Sequence, residues 1–312
     1  METRIYLFTG FLDSGKSTFI NDTITQTDFC KDERTLLLIF EEGEIEYNQE
    51  LIESFNVDLV YLKPQDWQIE KLNELKNKYQ PTQVIVEVNG MMDVTEVVNT
   101  SLPMDWTIVQ SVVTIDASTF SLYLNNLRSL VYSQVVNSEL VIFNRVDENM
   151  KKSFLRNNIK AINNYAQIIY EKSDGTVNTF EDEPLPYDIN APILEIEDCD
   201  FGIFCLDALE NAKTYAGKTV RLKGKMMGLD ATVDNGFILG RQAMVCCEED
   251  TKLIGIICES KYTSQLIQGE WLIVEGVISL LFDPKLDVPI CLLHVTKLQG
   301  CLPLKQEYVT FD

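Results

Sequence analysis

The sequence predicts a two-domain protein: an α/β domain with a mostly parallel sheet and helices on both faces, then a small β-rich domain, a barrel or a sandwich. Three observations carry this. Short, continuous apolar runs alternate with amphipathic stretches as far as residue 170, the pattern of strands buried on both faces. The segment EDEPLPYDINAP (181–192) is acidic and carries three prolines, which reads as a linker. Beyond it, five or six β-rich runs fall within about 100 residues, the spacing of a barrel or sandwich. The expected domains are 1–180 and 193–312.

Taken in order, Arg4–Thr9 reads as a strand and Lys16–Thr27 as a helix. Thr35–Phe40, Val57–Leu62 and Gln83–Val88 follow as strands, with helices at Tyr47–Phe55 and Gln65–Tyr79. In the second of these helices Ile69, Leu72 and Leu75 recur at helical spacing. Thr107–Ile115 is a strand followed by helical stretches to about residue 137. Glu139–Phe143, a helix over Glu148–Tyr165 and a strand over Ala166–Tyr170 complete the domain. The second domain opens with a helix over Phe204–Tyr215. Strands are expected at Lys218–Met227, Phe237–Leu239, Ala243–Cys247, Lys252–Cys258, Glu270–Leu281 and Val288–Leu298.

Composition narrows the function. The net charge is −22, from 26 Lys and Arg against 48 Asp and Glu. This argues against undirected binding to nucleic acid or anionic membranes, both of which need surface cations. No apolar run reaches the 18 or more residues of a membrane span, and no secretion signal is recognised, so a cytoplasmic location is expected. The eight cysteines are scattered and read as reduced thiols. The one histidine, His294, lies in an alternating run and reads as a strand residue; any Ser-His or Cys-His catalysis has to use it.

The strongest motif is Gly10-Phe-Leu-Asp13-Ser14-Gly15-Lys16-Ser17, which fits GxxxxGK[ST] between a strand and a helix. Its glycines let successive N–H groups point inward and cradle phosphate at a helix N-terminus. Lys16 is expected at the β- and γ-phosphates, Ser17 on Mg²⁺ and Thr18 at the α-phosphate. Asn144-Arg145-Val146-Asp147 follows a late strand and approximates the guanine-reading N-K-x-D. There the Asp147 carboxylate can accept from guanine N1–H and the 2-amino group, a pair adenine lacks; an Asx turn capping a helix is the competing reading. Glu87 ends a buried strand and is a candidate for holding Mg²⁺ or polarising water, with Gly90 presenting its N–H to a γ-phosphate. Glu41, in Phe40-Glu-Glu-Gly-Glu44, lies at the same strand edge, where a solvated acidic loop explains it nearly as well.

Together these motifs resemble the CobW-like branch of the CobW/HypB/UreG P-loop GTPases over roughly residues 3–175. The matching segments are GFLDSGKST, IFEEGE (39–44), EVNGMMDV (87–94), IDASTF (115–120) and NRVD (144–147). The resemblance implies GTP and GDP binding with Mg²⁺ and slow GTP hydrolysis. Lys16 and Ser17 then serve phosphate and magnesium, Glu41 and Glu87 the switch, and Asn144 and Asp147 the base. It also raises a metallochaperone role with Zn²⁺ or Co²⁺, and a homodimer. The family's G-C-x-C-C motif is absent, however, since that region reads VDLVYLKPQDW (57–67). The C-terminal region resembles a little-characterised bacterial family of permease companions carrying R-x-x-M-x-C-C, matched by Arg241, Cys246 and Cys247, and this resemblance implies an OB-like β-barrel over 193–312. The two cysteines are either small core residues or transition-metal ligands. A regulatory switch whose barrel docks a protein such as a permease complex is the alternative to metal delivery.

Overall fold

The structure, a computed structural model, describes residues 2–40, 47–177, 184–246, 251–284 and 287–311. It forms two compact units, residues 1–151 with 165–181 and residues 152–164 with 182–312.

The first unit holds seven parallel strands: β1 (Thr3–Thr9), β2 (Thr35–Ile39), β3 (Val57–Tyr61), β4 (Gln83–Glu87), β5 (Trp106–Asp116), β6 (Leu140–Asn144) and β7 (Gln167–Tyr170). Their order is β3-β2-β4-β1-β5-β6-β7. Helices α1 (Lys16–Gln26), α2 (Gln49–Ser54), α3 (Ile69–Tyr79), α4 (Val94–Asn99), α5 (Phe120–Asn126) and α6 (Arg128–Val135) connect them. Alternation along the strands divides the core in two. Leu36, Leu38, Val84 and Val86 pack with Leu72 and Leu75 of α3. Leu37, Ile39 and Ile85 point the other way and pack with Ile20 and Ile24 of α1. A strand with both faces covered has no polar face, which is why LLLI (36–39) and VIV (84–86) are unbroken apolar runs.

Strand register positions the site. β1 is central, and Phe8 at its end pairs with Glu87 at the end of β4. On the other side of β1, Asp116 of β5 pairs with Asn144 of β6. All these residues therefore arrive at one carboxyl edge of the sheet, the ligand-binding edge of open α/β folds.

The second unit holds α7 (Lys152–Ile162), β8 (Leu194–Glu195), α8 (Phe201–Glu210), α9 (Ala212–Tyr215) and five long strands: β9 (Thr219–Asp230), β10 (Gly236–Met244), β11 (Thr251–Glu259), β12 (Trp271–Asp283) and β13 (Val288–Gly300). The order β9-β10-β11-β13-β12 closes through β12 onto β9. β11 and β13 pair in parallel, and this contact completes the barrel. Phe237, Leu239, Cys258, Leu272, Val274 and Leu293 fill the interior.

Several boundaries differ from expectation for local reasons. The helix expected from Gln65 begins at Ile69, because Pro64–Asp66 form a 3₁₀ turn in which the Asp66 carboxylate accepts from the Lys63 N–H at 2.8 Å. The helix expected over Phe204–Tyr215 starts at Phe201 and is interrupted at Asn211. Two strands expected at 237–239 and 243–247 are one, β10, ending at Met244. Gly240 looks like a breaker in sequence but pairs with Gly255, where a Cβ would lie 2.8 Å from the Gly240 Cα. α4, capped by Asp93 accepting from the Thr95 N–H at 2.8 Å, has no counterpart among the expected elements. Among the described residues no helix is long and apolar enough to cross a membrane.

The barrel depends on its interior aromatics. Phe237→Ala, at a fully buried position, is expected to destabilise the second unit by about 3–5 kcal/mol, read from the denaturation midpoint.

Candidate nucleotide-binding site

The loop between β1 and α1 carries three residues with positive φ, Gly10 (137°), Asp13 (58°) and Gly15 (92°). At Gly15 a Cβ would lie 2.5 Å from the Asn144 Nδ2, so glycine is required both for conformation and for space. Asn144 in turn donates from Nδ2 to the Ser14 carbonyl at 2.5 Å. The tetrapeptide 144–147 is thus packed, through Asn144, directly on the loop between β1 and α1. The Ser14 hydroxyl is bonded to the Thr114 hydroxyl at 2.9 Å in the sheet behind it. Phe11 stacks on Tyr123 of α5 with ring centres 3.8 Å apart.

Lys16 is 3 % exposed, and its ammonium donates to the Gly10 and Phe11 carbonyls at 2.9 Å each. A buried cation held by neutral carbonyls is poised to exchange them for phosphate oxygens, which give stronger, charge-assisted bonds. Beside it, the Ser17 hydroxyl donates to Glu87 Oε1 at 2.6 Å, and the Tyr47 hydroxyl donates to Glu87 Oε2 at 2.7 Å. Glu87 is 2 % exposed, so both carboxylate oxygens are spoken for by hydroxyls in a buried setting. Burial, and then the charge of Glu87, push the Tyr47 hydroxyl far above its ordinary range, so it remains a donor. A serine hydroxyl and a carboxylate oxygen side by side are hard oxygen ligands of the kind Mg²⁺ takes.

Gly90 lies against this loop. A Cβ there would sit 2.7 Å from the Gly10 carbonyl oxygen and 2.8 Å from the Phe11 Cα. Gln134 of α6, itself buried, donates to the Gly90 carbonyl at 3.0 Å and holds it in place.

At the other end, Arg145 has φ 53° and donates to the Asp13 carbonyl at 2.9 Å and to Asp116 Oδ2 at 2.5 Å. Burial opposes ionisation of Asp116, but hydrogen bonds from Ser118 and the Arg145 guanidinium outweigh it and hold the carboxyl below its usual range. Asp147 accepts from the Asn149 N–H at 2.7 Å and from its side-chain amide at 2.8 Å, and these bonds lower its pKa. It is therefore an exposed carboxylate at neutral pH. Both bonds fall on Oδ1, so the Asx turn that competes with the base-reading expectation is present. Asn144 Oδ1 is buried without a hydrogen-bond partner, an acceptor left for a ligand donor.

The structure therefore brings Gly10, Asp13, Ser14, Gly15, Lys16, Ser17, Glu87, Gly90, Asn144 and Arg145 together, with Asp147 at the margin and Thr18 exposed in the first turn of α1. Glu41 and Cys247 lie outside the described residues. Cys246 sits half-buried beyond the end of β10. Among the described residues, the one group of three or more metal-type ligands is Glu197, Cys199 and Asp200, which does not include it. Tyr47, Asp116 and Gln134 were not among the expected site residues. Asp116 had a signal, its place in IDASTF; Tyr47 and Gln134 had none, because their roles depend on contacts far along the chain.

Residues 4–170 match the family model described as the CobW/HypB/UreG nucleotide-binding domain. The chain belongs to the CobW/HypB/UreG family of P-loop GTPases. Residues 173–310 match the DUF1980 C-terminal domain. Among solved structures, Zn(II)-bound YjiA GTPase from E. coli is 13 % identical with a TM-score of 0.45, covering 89 % of this chain and 86 % of its own. Hydrogenase maturation factor HypB from Archaeoglobus fulgidus is 15 % identical with a TM-score of 0.41, covering 55 % and 82 %. A small single-stranded DNA-binding protein from Streptomyces coelicolor is 13 % identical with a TM-score of 0.20, covering 28 % and 95 %. No curated protein matches the chain.

Backbone-to-backbone contact at Gly90 leaves no room for a methyl group. Gly90→Ala is expected to weaken guanine-nucleotide affinity roughly ten- to hundredfold, the equivalent of an overpacking cost of about 1–3 kcal/mol. Gly228→Ala, with open space around the new Cβ, should leave affinity unchanged in the same fluorescence titration.

Proposed function

We propose that this protein binds GTP with Mg²⁺ at the carboxyl edge of the seven-stranded sheet and hydrolyses it slowly to GDP and phosphate. The observation that carries this is the buried Ser17–Glu87–Tyr47 set beside the buried Lys16 ammonium. The P-loop amides and Lys16 take the β- and γ-phosphate oxygens, and Thr18 the α-phosphate. Ser17 and Glu87 would hold Mg²⁺, which supplies neutralisation of phosphate charge when bound. Gly90, appressed to the loop, offers its N–H to the γ-phosphate and is the point at which the bound state is sensed. Asp147 accepts from guanine N1–H and the 2-amino group, and the Arg145 stem covers the base while its head stays pinned to Asp13 and Asp116. Glu41 joins this set on its motif position alone.

We favour a nucleotide-controlled switch over metal delivery as the output. In this reading the barrel docks a protein partner, such as a permease complex, in the cytoplasm. Support comes from VDLVYLKPQDW (57–67) standing where the family carries its G-C-x-C-C motif. Pairing of two copies or partner binding then raises the slow intrinsic rate.

Two variants test the nucleotide chemistry. Lys16→Ala should lower GTP hydrolysis by about 10²-fold or more, the scale of losing one transition-state donor. Asp147→Asn should move preference from GTP to XTP, because an amide donor suits the 2-carbonyl of xanthine and leaves the guanine 2-amino group unpaired; retained GTP preference would count against the assignment. Zinc titration of the wild type and the double variant Cys246→Ser/Cys247→Ser, with and without GTP, tests the output. Equal or absent affinity supports the switch; GTP-dependent affinity lost in the variant supports metal delivery.

A further inference from the structure

The barrel carries a second constellation, remote in sequence from every nucleotide motif. It joins Ser279 of β12, His294 of β13 and Glu259 at the end of β11. His294 Nδ1 lies 2.6 Å from Glu259 Oε2, and His294 Nε2 lies 2.7 Å from the Ser279 Oγ. Strand closure produces this arrangement. Glu259 and His294 are direct partners in the parallel β11–β13 pair, while Ser279 faces Leu292, two residues from His294, across the antiparallel β12–β13 pair. All three side chains are accordingly on one face of the ladder.

The bonding sets the proton positions. An ionised carboxylate only accepts, so Glu259 fixes the proton of the neutral imidazole on Nδ1. Nε2 is then an acceptor, and the short contact to Ser279 has the serine O–H as donor. That is the proton arrangement of an activated serine: carboxylate orienting histidine, histidine receiving the hydroxyl proton. The chain has one histidine, and it is held in this position. The His294 side chain is 46 % exposed and Glu259 38 %. The pair is thus open to a small substrate, and Val277, the partner of His294 across the β12–β13 ladder, is an exposed apolar contact beside it.

We propose that Ser279 is an activated nucleophile and that the barrel cleaves small carboxylic esters with good leaving groups. The Ser279 oxygen attacks the ester carbonyl carbon as its proton passes to His294 Nε2. The tetrahedral adduct collapses, the bond to the leaving oxygen breaks, and that oxygen takes the proton from Nε2, leaving an acyl-serine. Water then attacks the acyl carbon with His294 again accepting a proton, releasing the carboxylic acid and restoring the serine. The sum is ester plus water to acid plus alcohol, with no change of oxidation state. Nucleophile, base and orienting carboxylate are the parts assembled on this open face, so an activated aryl ester with a short acyl chain is the substrate class it fits.

The test uses the full chain with p-nitrophenyl acetate and a fluorophosphonate probe. The wild type should cleave the ester above the buffer rate and carry the probe on Ser279 by peptide mapping. Ser279→Ala and His294→Gln should each lower the enzymatic rate by at least about tenfold, in line with loss of nucleophile or general base. Glu259→Gln should slow it by letting the wrong tautomer form. Thr296→Val, at a barrel hydroxyl that donates instead to the Glu275 carbonyl, should keep the wild-type rate. Cleavage equal to buffer, a Ser279→Ala rate equal to wild type, or probe mapped to another residue overturns the proposal.

Discussion

One buried carboxylate organises the nucleotide edge. Glu87 ends a strand covered on both faces, in register with Phe8 near the end of β1, and has to satisfy two oxygens away from water. It does so with Ser17, from the first turn of α1, and Tyr47, from the chain after β2. An unpaired carboxylate there would cost several kcal/mol, so these hydroxyls are held by the penalty of leaving them as much as by the bonds themselves. Three segments far apart in sequence are thereby tied to a single group.

The charge distribution gives this arrangement its sense. Residues 191–312 contain 11 Lys and Arg against 18 Asp and Glu, and the remaining 15 against 30 fall in the first 190 residues. A domain of that sign cannot attract an anion through its overall field. The loop before α1 is a local reversal, with a helix N-terminus and one lysine stripped of water side by side. Arg145 adds to it from the base side, where its guanidinium is neutralised by Asp116 and so acts as a brace between β5, β6 and the loop.

The barrel shows the same dependence on closure. Glu259, Ser279 and His294 are unremarkable strand residues in sequence, and only the parallel pairing of β11 with β13 makes the first and last of them neighbours. The same pairing seals the interior around Phe237, Leu239 and Cys258. The energetic requirement for a closed sheet and the placement of the polar triad are one event, because strand register fixes which side chains share a face.

The sequence by itself determined the two architectures and most of the nucleotide motifs. Those signals are local: apolar runs report strands buried on both faces, and GFLDSGKS and NRVD are short enough that neighbours in sequence are neighbours in space. Boundaries set by side-chain caps or by facing glycines, such as the 3₁₀ turn before α3 and the unbroken β10, were not legible, since they turn on partners elsewhere in the fold. The roles of Tyr47 and Gln134, and the meeting of Ser279, His294 and Glu259, were decided by tertiary structure alone. Hydrogen bonds act over about 3 Å, and residues 15 to 44 positions apart reach that distance only after strand order and register are set.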